Sequence, residues 1–113
     1  MKGDRLYLIH MQECMERVTS YTVEGRDKFM ESTLIQDAVL RNLQTMAESS
    51  QRLSDDLKDA HPEIDWRRLS GFRNVLVHDY LGVSLNTVWQ LIEEELPKLR
   101  QHIERILDGL SDD

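Results

Sequence analysis

The chain is 113 residues long, the size of one small domain. Lys and Arg number 14 against 21 Asp and Glu, a formal charge of −7, which argues against a general polyanion binder because such proteins carry net positive charge to displace counterions from phosphates. Five Gly and two Pro leave few places for the turns of a barrel or sandwich, and 40% hydrophobic residues are too many for a disordered chain, so helices are favoured.

Asp4 is an N-cap residue type and is expected to open a first helix running to about Ser20. Leu8, Met11, Met15 and Val18 recur at three- and four-residue steps and mark its buried seam. Tyr21 to Phe29, with Gly25 and mixed charges, reads as a loop or a single turn. Thr33 with Gln36 fits a capping box. Ile35, Val39, Leu43 and Met46 then follow helical spacing, in a helix able to continue past Leu53 and Leu57 until Pro62 stops it. Asp65 caps a third helix starting at Trp66, with a brief break at Gly71 and a stop near Gly82. Ser84 caps a fourth segment with Val88, Leu91 and Ile92 on one face, which Pro97 should kink or divide. Leu99, Ile103, Ile106 and Leu110 carry a last helix. The sum is a single domain over residues 1–113, an all-α antiparallel bundle of four to five helices.

Cys14 is the only cysteine, so no intrachain disulfide can form, and its neighbours Met11, Met15 and Val18 suggest a buried thiol in a reducing, cytoplasmic setting. No apolar run approaches the ~18 residues of a bilayer span, and no apolar signal-peptide core follows Met1 to Arg5. His10, His61, His78 and His102 form no zinc-like ligand pattern, so neither a metal nor another cofactor is expected. The methionines read as core filler, and Trp66 and Trp89 as packing anchors. Glu93 to Glu95 reads as a solvated face, and Asp112 and Asp113 as an acidic tail.

One stretch carries candidate chemistry: Arg73-Asn74-Val75-Leu76-Val77-His78-Asp79-Tyr80. On a helix, Phe72, Val75 and Leu76 share one side with Leu69, while Arg73, Asn74, Val77 and His78 share the other. Arg73 and His78 sit about 140° apart, at the two edges of that polar face. Arg presents a planar fork of donors suited to phosphate oxygens, and His, with a reference pKa of about 6.5, moves protons at neutral pH. Asn can orient either partner. If RNA supplies its own 2′-hydroxyl as nucleophile, such a set needs no metal. Ordinary surface helices also carry these residue types, and spacing alone does not assign the role.

The same residues resemble a family signature. Arg73 through Tyr80 is similar to the R-x4-H-x-Y element of the HepT-like branch of HEPN proteins. The likeness extends over Asp4 to Leu8, Gln36 to Leu43, Arg52 to Ser54, His61 to Ile64, Gly71 to Asn74 and Val88-Trp89. The resemblance implies a two-fold homodimer acting as the toxin of a type VII toxin–antitoxin pair, a metal-independent ribonuclease with its active site at the dimer interface. It implies catalytic roles for Arg73 and His78 and a supporting role for Asn74. It further implies a minimal nucleotidyltransferase antitoxin as partner, which silences the nuclease by transferring AMP to Tyr80. Arg67 and Arg68 are then candidate contacts to RNA or antitoxin, with solvated surface charge as the ordinary reading. A second function class stays open at this point: a non-catalytic helical subunit that docks a nucleotidyltransferase and is itself modified.

Overall fold

A computed structural model describes residues 3–78 and 82–110, with the backbone but not the side chain of His78. Among the described residues all regular structure is helical: α1 (Asp4–Tyr21), α2 (Arg26–Glu31), α3 (Thr33–Gln51), α4 (Asp55–Ala60), α5 (Trp66–His78), α6 (Leu85–Gln90), a π-helical turn (Leu91–Glu95), and α7 (Leu96–Gly109). Among the described residues no helix is long and apolar enough to cross a membrane.

The apolar seam of α1 forms as its spacing predicts, with Leu8, Met11, Met15 and Val18 fully buried and Cys14 beside them. It lies along Val39, Leu40, Leu43 and Met46 of α3, the most extensive helix pairing in the molecule. Helix α5 packs on the other flank of α3, contributing Leu76 to the core, and α7 packs on α1 through Ile103 and Ile106. Full burial of side chains of this size stabilises by about 1.5–3 kcal/mol each, which makes this core the main force holding the bundle. Burial also pushes the Cys14 thiol above its usual pKa, against an opposing pull from Arg17.

Several elements differ from the sequence expectation, each for a physical reason. Asp4 does not cap α1, whose N-cap is Gly3 with φ 94°. Its carboxylate is buried and instead accepts hydrogen bonds from the Ser54 backbone N–H (2.8 Å) and hydroxyl (2.6 Å). Ser54 Oγ in turn accepts from Leu57 N, capping α4, so the expected continuous second helix is divided after Gln51. Segment 21–29 is not simply a loop, because α2 begins after Gly25, whose φ of 94° disfavours any residue with a Cβ. Phe29 of this short helix is fully buried and its ring meets that of Trp89 at 5.5 Å, a long-range contact that holds the segment helical. The cap of α3 is Ser32, not Thr33: its hydroxyl accepts from Ile35 N, while Gln36 Nε2 donates to the carbonyls of Phe29 and Met30.

Asp65 and Ser84 cap α5 and α6 as expected, accepting from Arg68 N and Thr87 N. Helix α5 runs through Gly71 without a break. Pro97 lies in the first turn of α7, immediately after the π turn. It offers no N–H to the carbonyl four residues earlier, and the chain widens by one residue per turn there without ending.

Candidate active site

The candidate catalytic residues sit in the second half of α5. The start of that helix is held firmly: Asp65 caps it, Trp66 Nε1 donates to the His61 carbonyl at 3.0 Å, and the preceding Ile64 is buried. Glu63 lies just ahead, its carboxyl lowered from the usual range by its own backbone N–H and by the His61 ring. Both tryptophans are packing anchors, Trp89 against Phe29 and Trp66 against the core's edge.

Along α5, Leu76 points into the core, and Leu69 and Phe72 are half-buried beside it. Val75, expected with them, is 47% exposed, and Val77 is 37% exposed. The helix therefore buries a narrower stripe than its apolar residues provide, leaving both valines in solvent. At 100° per residue Val77 falls between Arg73 and Asn74, and Val75 lies beyond Asn74. Arg73 is half-buried, and its Nη1 donates to Asn74 Oδ1 at 3.4 Å, a long and weak bond. Its Nε is shielded from solvent and has no hydrogen-bond partner among the described residues. An unsatisfied shielded donor costs about 1–3 kcal/mol relative to a paired one, so this guanidinium is set to donate to an external oxygen.

The two arginines upstream separate. Arg67 is exposed and has no ion-pair partner among the described residues. Arg68 grips Glu95 of the π turn with both terminal nitrogens, one of them at 2.8 Å. Glu95 is thus not part of a purely solvated acidic face as expected, although Glu93 and Glu94 are exposed. The expected helix stop at Gly82 and the expected modification site, Tyr80, involve residues 79–81, which lie outside the described residues, as does the His78 side chain. The α5 backbone extends to position 78, one and a half turns beyond Arg73. Sequence reasoning missed two features here. One is the Arg68–Glu95 clasp, and the other is the cleft beneath it. The partners of that clasp are 27 positions apart, and no local pattern announces it.

With an all-helical bundle and an Arg-x4-His helix in place, the relatives are informative. The chain belongs to the ribonuclease HepT-like family, whose model matches residues 11–106. It is similar to a "Probable ribonuclease HepT" of Thermococcus cleftensis, 33% identical over 101 residues that cover 88% of this chain and 92% of that one. It is also similar to a "Putative RNase" of Caldanaerobacter subterraneus subsp. tengcongensis, 32% identical over 111 residues, 95% of this chain and 96% of that one. A third relative is a "Gamma-glutamylcyclotransferase and putative RNase" of Methanocaldococcus jannaschii, 30% identical over 110 residues. This chain spans 50% of that longer protein and nearly the whole of the other two. No solved structure matches the chain.

Proposed function

We propose that the chain is a metal-independent endoribonuclease, the toxin of a toxin–antitoxin pair, whose active site forms where two copies bring their α5 helices together. The observation that carries this reading is Arg73: a shielded Nε on the motif helix with no hydrogen-bond partner among the described residues, on a helix that leaves Val75 and Val77 exposed. A two-fold contact presents the same patch from both protomers, so one Arg73/His78 set becomes two facing sets. Covering the valines would also dry the site and strengthen its electrostatics.

In this reading the His78 imidazole takes the proton of an RNA 2′-hydroxyl. The freed oxygen bonds to the adjacent phosphorus, and the bond to the 5′-oxygen breaks. That oxygen leaves with a proton returned by an imidazolium, giving a 2′,3′-cyclic phosphate and a 5′-hydroxyl end. Arg73 stabilises the charge that builds on the phosphoryl oxygens, and Asn74 holds the guanidinium in place. The net charge of −7 fits RNA contact confined to this cleft, with exposed Arg67 as a further phosphate contact.

Silencing in this reading acts on the same motif. The Tyr80 phenol oxygen attacks the α-phosphorus of ATP in a partner nucleotidyltransferase, and pyrophosphate leaves. The attached AMP adds a bulky, charged group to the motif, and its phosphate competes with that of RNA for the guanidinium.

The test is cleavage of labelled RNA by the purified chain with metals chelated. His78→Ala and Arg73→Ala should each abolish cutting, about a hundredfold or more, while circular dichroism stays unchanged. Full activity in His78→Ala removes the mechanism. For the switch, incubation with the cognate nucleotidyltransferase, ATP and magnesium should add one AMP at Tyr80 by peptide mass spectrometry. Silencing that persists undiminished in Tyr80→Phe rules that residue out.

A further inference from the structure

The fold leaves a cleft of about 260 Å³ between α3, α5, the π turn and α7, lined on α5 by Arg68, Leu69 and Phe72 and not by Arg73 or Asn74. Its walls are mostly apolar, with Met46, Leu69, Phe72, Leu91 and Leu99 among them, and Lys98 lies on its border. The volume is just below the roughly 300 Å³ at which pockets for drug-sized ligands begin, which suits a smaller molecule. It is a different surface from the Arg73 and Asn74 face.

The charges around the cleft decide what it fits. Every acidic group on its border already has a cationic or N–H partner. Glu95 is held by both terminal nitrogens of Arg68. Asp65 accepts the Arg68 backbone N–H at the start of α5. Glu63 is stabilised as an anion by its own backbone N–H and by His61, with His102 adding to this from across the cleft. Arg68 is likewise used. The Lys98 ammonium has neither an ion pair nor a hydrogen bond among the described residues, and the His102 ring, also on the border, has none either. An apolar hollow with one uncommitted ammonium at its edge is complementary to a molecule with an apolar body and a single anionic head. The wall that carries Glu95 is the π turn, a wide-turn geometry frequent at functional sites and here placed directly against the hollow.

We propose that this cleft binds a small amphipathic carboxylate, its aliphatic or aromatic body on Met46, Leu69 and Phe72 and its head on Lys98. The site is independent of the ribonuclease reading and can be tested without RNA.

The experiment is titration of the full chain, labelled at its methionine methyl groups, with sodium octanoate, octanol and octylammonium chloride, followed by NMR. Octanoate should bind in the millimolar range or tighter and move the Met46 methyl while leaving Met11, buried in the α1 seam, in place. Lys98→Ala should weaken octanoate about tenfold or more, the loss of one charge-assisted contact, and leave octanol unchanged. Lys98→Arg should retain most of the affinity. Lys98 is exposed, so these variants should fold, and Leu91→Trp, which fills the hollow from its rim, should remove octanoate binding altogether. Octylammonium binding as well as octanoate, an unchanged octanoate affinity in Lys98→Ala, or no movement at Met46 would each overturn the proposal. So would a Met46 shift that depends on protein concentration without octanoate, since a second copy would then be covering the cleft.

Discussion

At the scale of single residues, the polar groups divide by whether the fold satisfies them. Asp4 is 2% exposed and tolerable there only because Ser54 gives it two hydrogen bonds. Asp4→Ala would leave the Ser54 N–H without its acceptor and should cost about 1–3 kcal/mol. That appears as a lower urea midpoint with an unchanged slope, and Asp4→Asn should recover part of the loss. Arg73 is the opposite case, because its shielded Nε has no partner among the described residues. Arg73→Ala should therefore cost little stability or even none, although it abolishes RNA cutting. A loss of several kcal/mol in that variant would mark Arg73 as a structural residue.

At the scale of elements, the caps were legible because capping is local. Asp65 and Ser84 each bond the N–H three residues on, as their positions suggest. Ser32 against Thr33 was a near tie between adjacent hydroxyls, settled by Gln36 turning back to the carbonyls that end α2. The division of α3 from α4 was not legible, since Ser54 becomes a cap through a carboxylate 50 positions away. The Arg68–Glu95 clasp joins α5 to the π turn, but the Arg68 side chain is 67% exposed. A double-mutant cycle of Arg68→Ala with Glu95→Ala should then give a coupling of no more than about 1 kcal/mol, falling with added salt. A larger, salt-insensitive coupling would mean that the pair is covered in solution.

For the whole molecule, the bundle spends its apolar residues on the α1–α3 seam and leaves part of α5 uncovered. Val75 and Val77 lie in solvent on the same helix as Arg73 and Asn74, and a second copy would bury them. Sedimentation at micromolar concentration should show a dimer, and joint Val75→Ser and Val77→Ser replacement should shift it toward monomer. RNA cutting should fall in step with the dimer fraction. A monomeric wild-type chain that cuts RNA normally would remove the interface from the mechanism.

The helical class, the buried faces of α1 and α3, the packing role of both tryptophans and the family itself could all be read from the chain. Each rests on spacing within one helix or on a short contiguous motif, and side-chain direction along a helix follows from residue number alone. The joint between α1 and α4, the burial of Phe29 on Trp89, the exposure of Val75, the clasp of Arg68 and the α5–α7 cleft could not. All of these depend on which helix lies against which and at what height. That arrangement is set by the sum of many weak apolar contacts between distant segments, and no short stretch of sequence carries it.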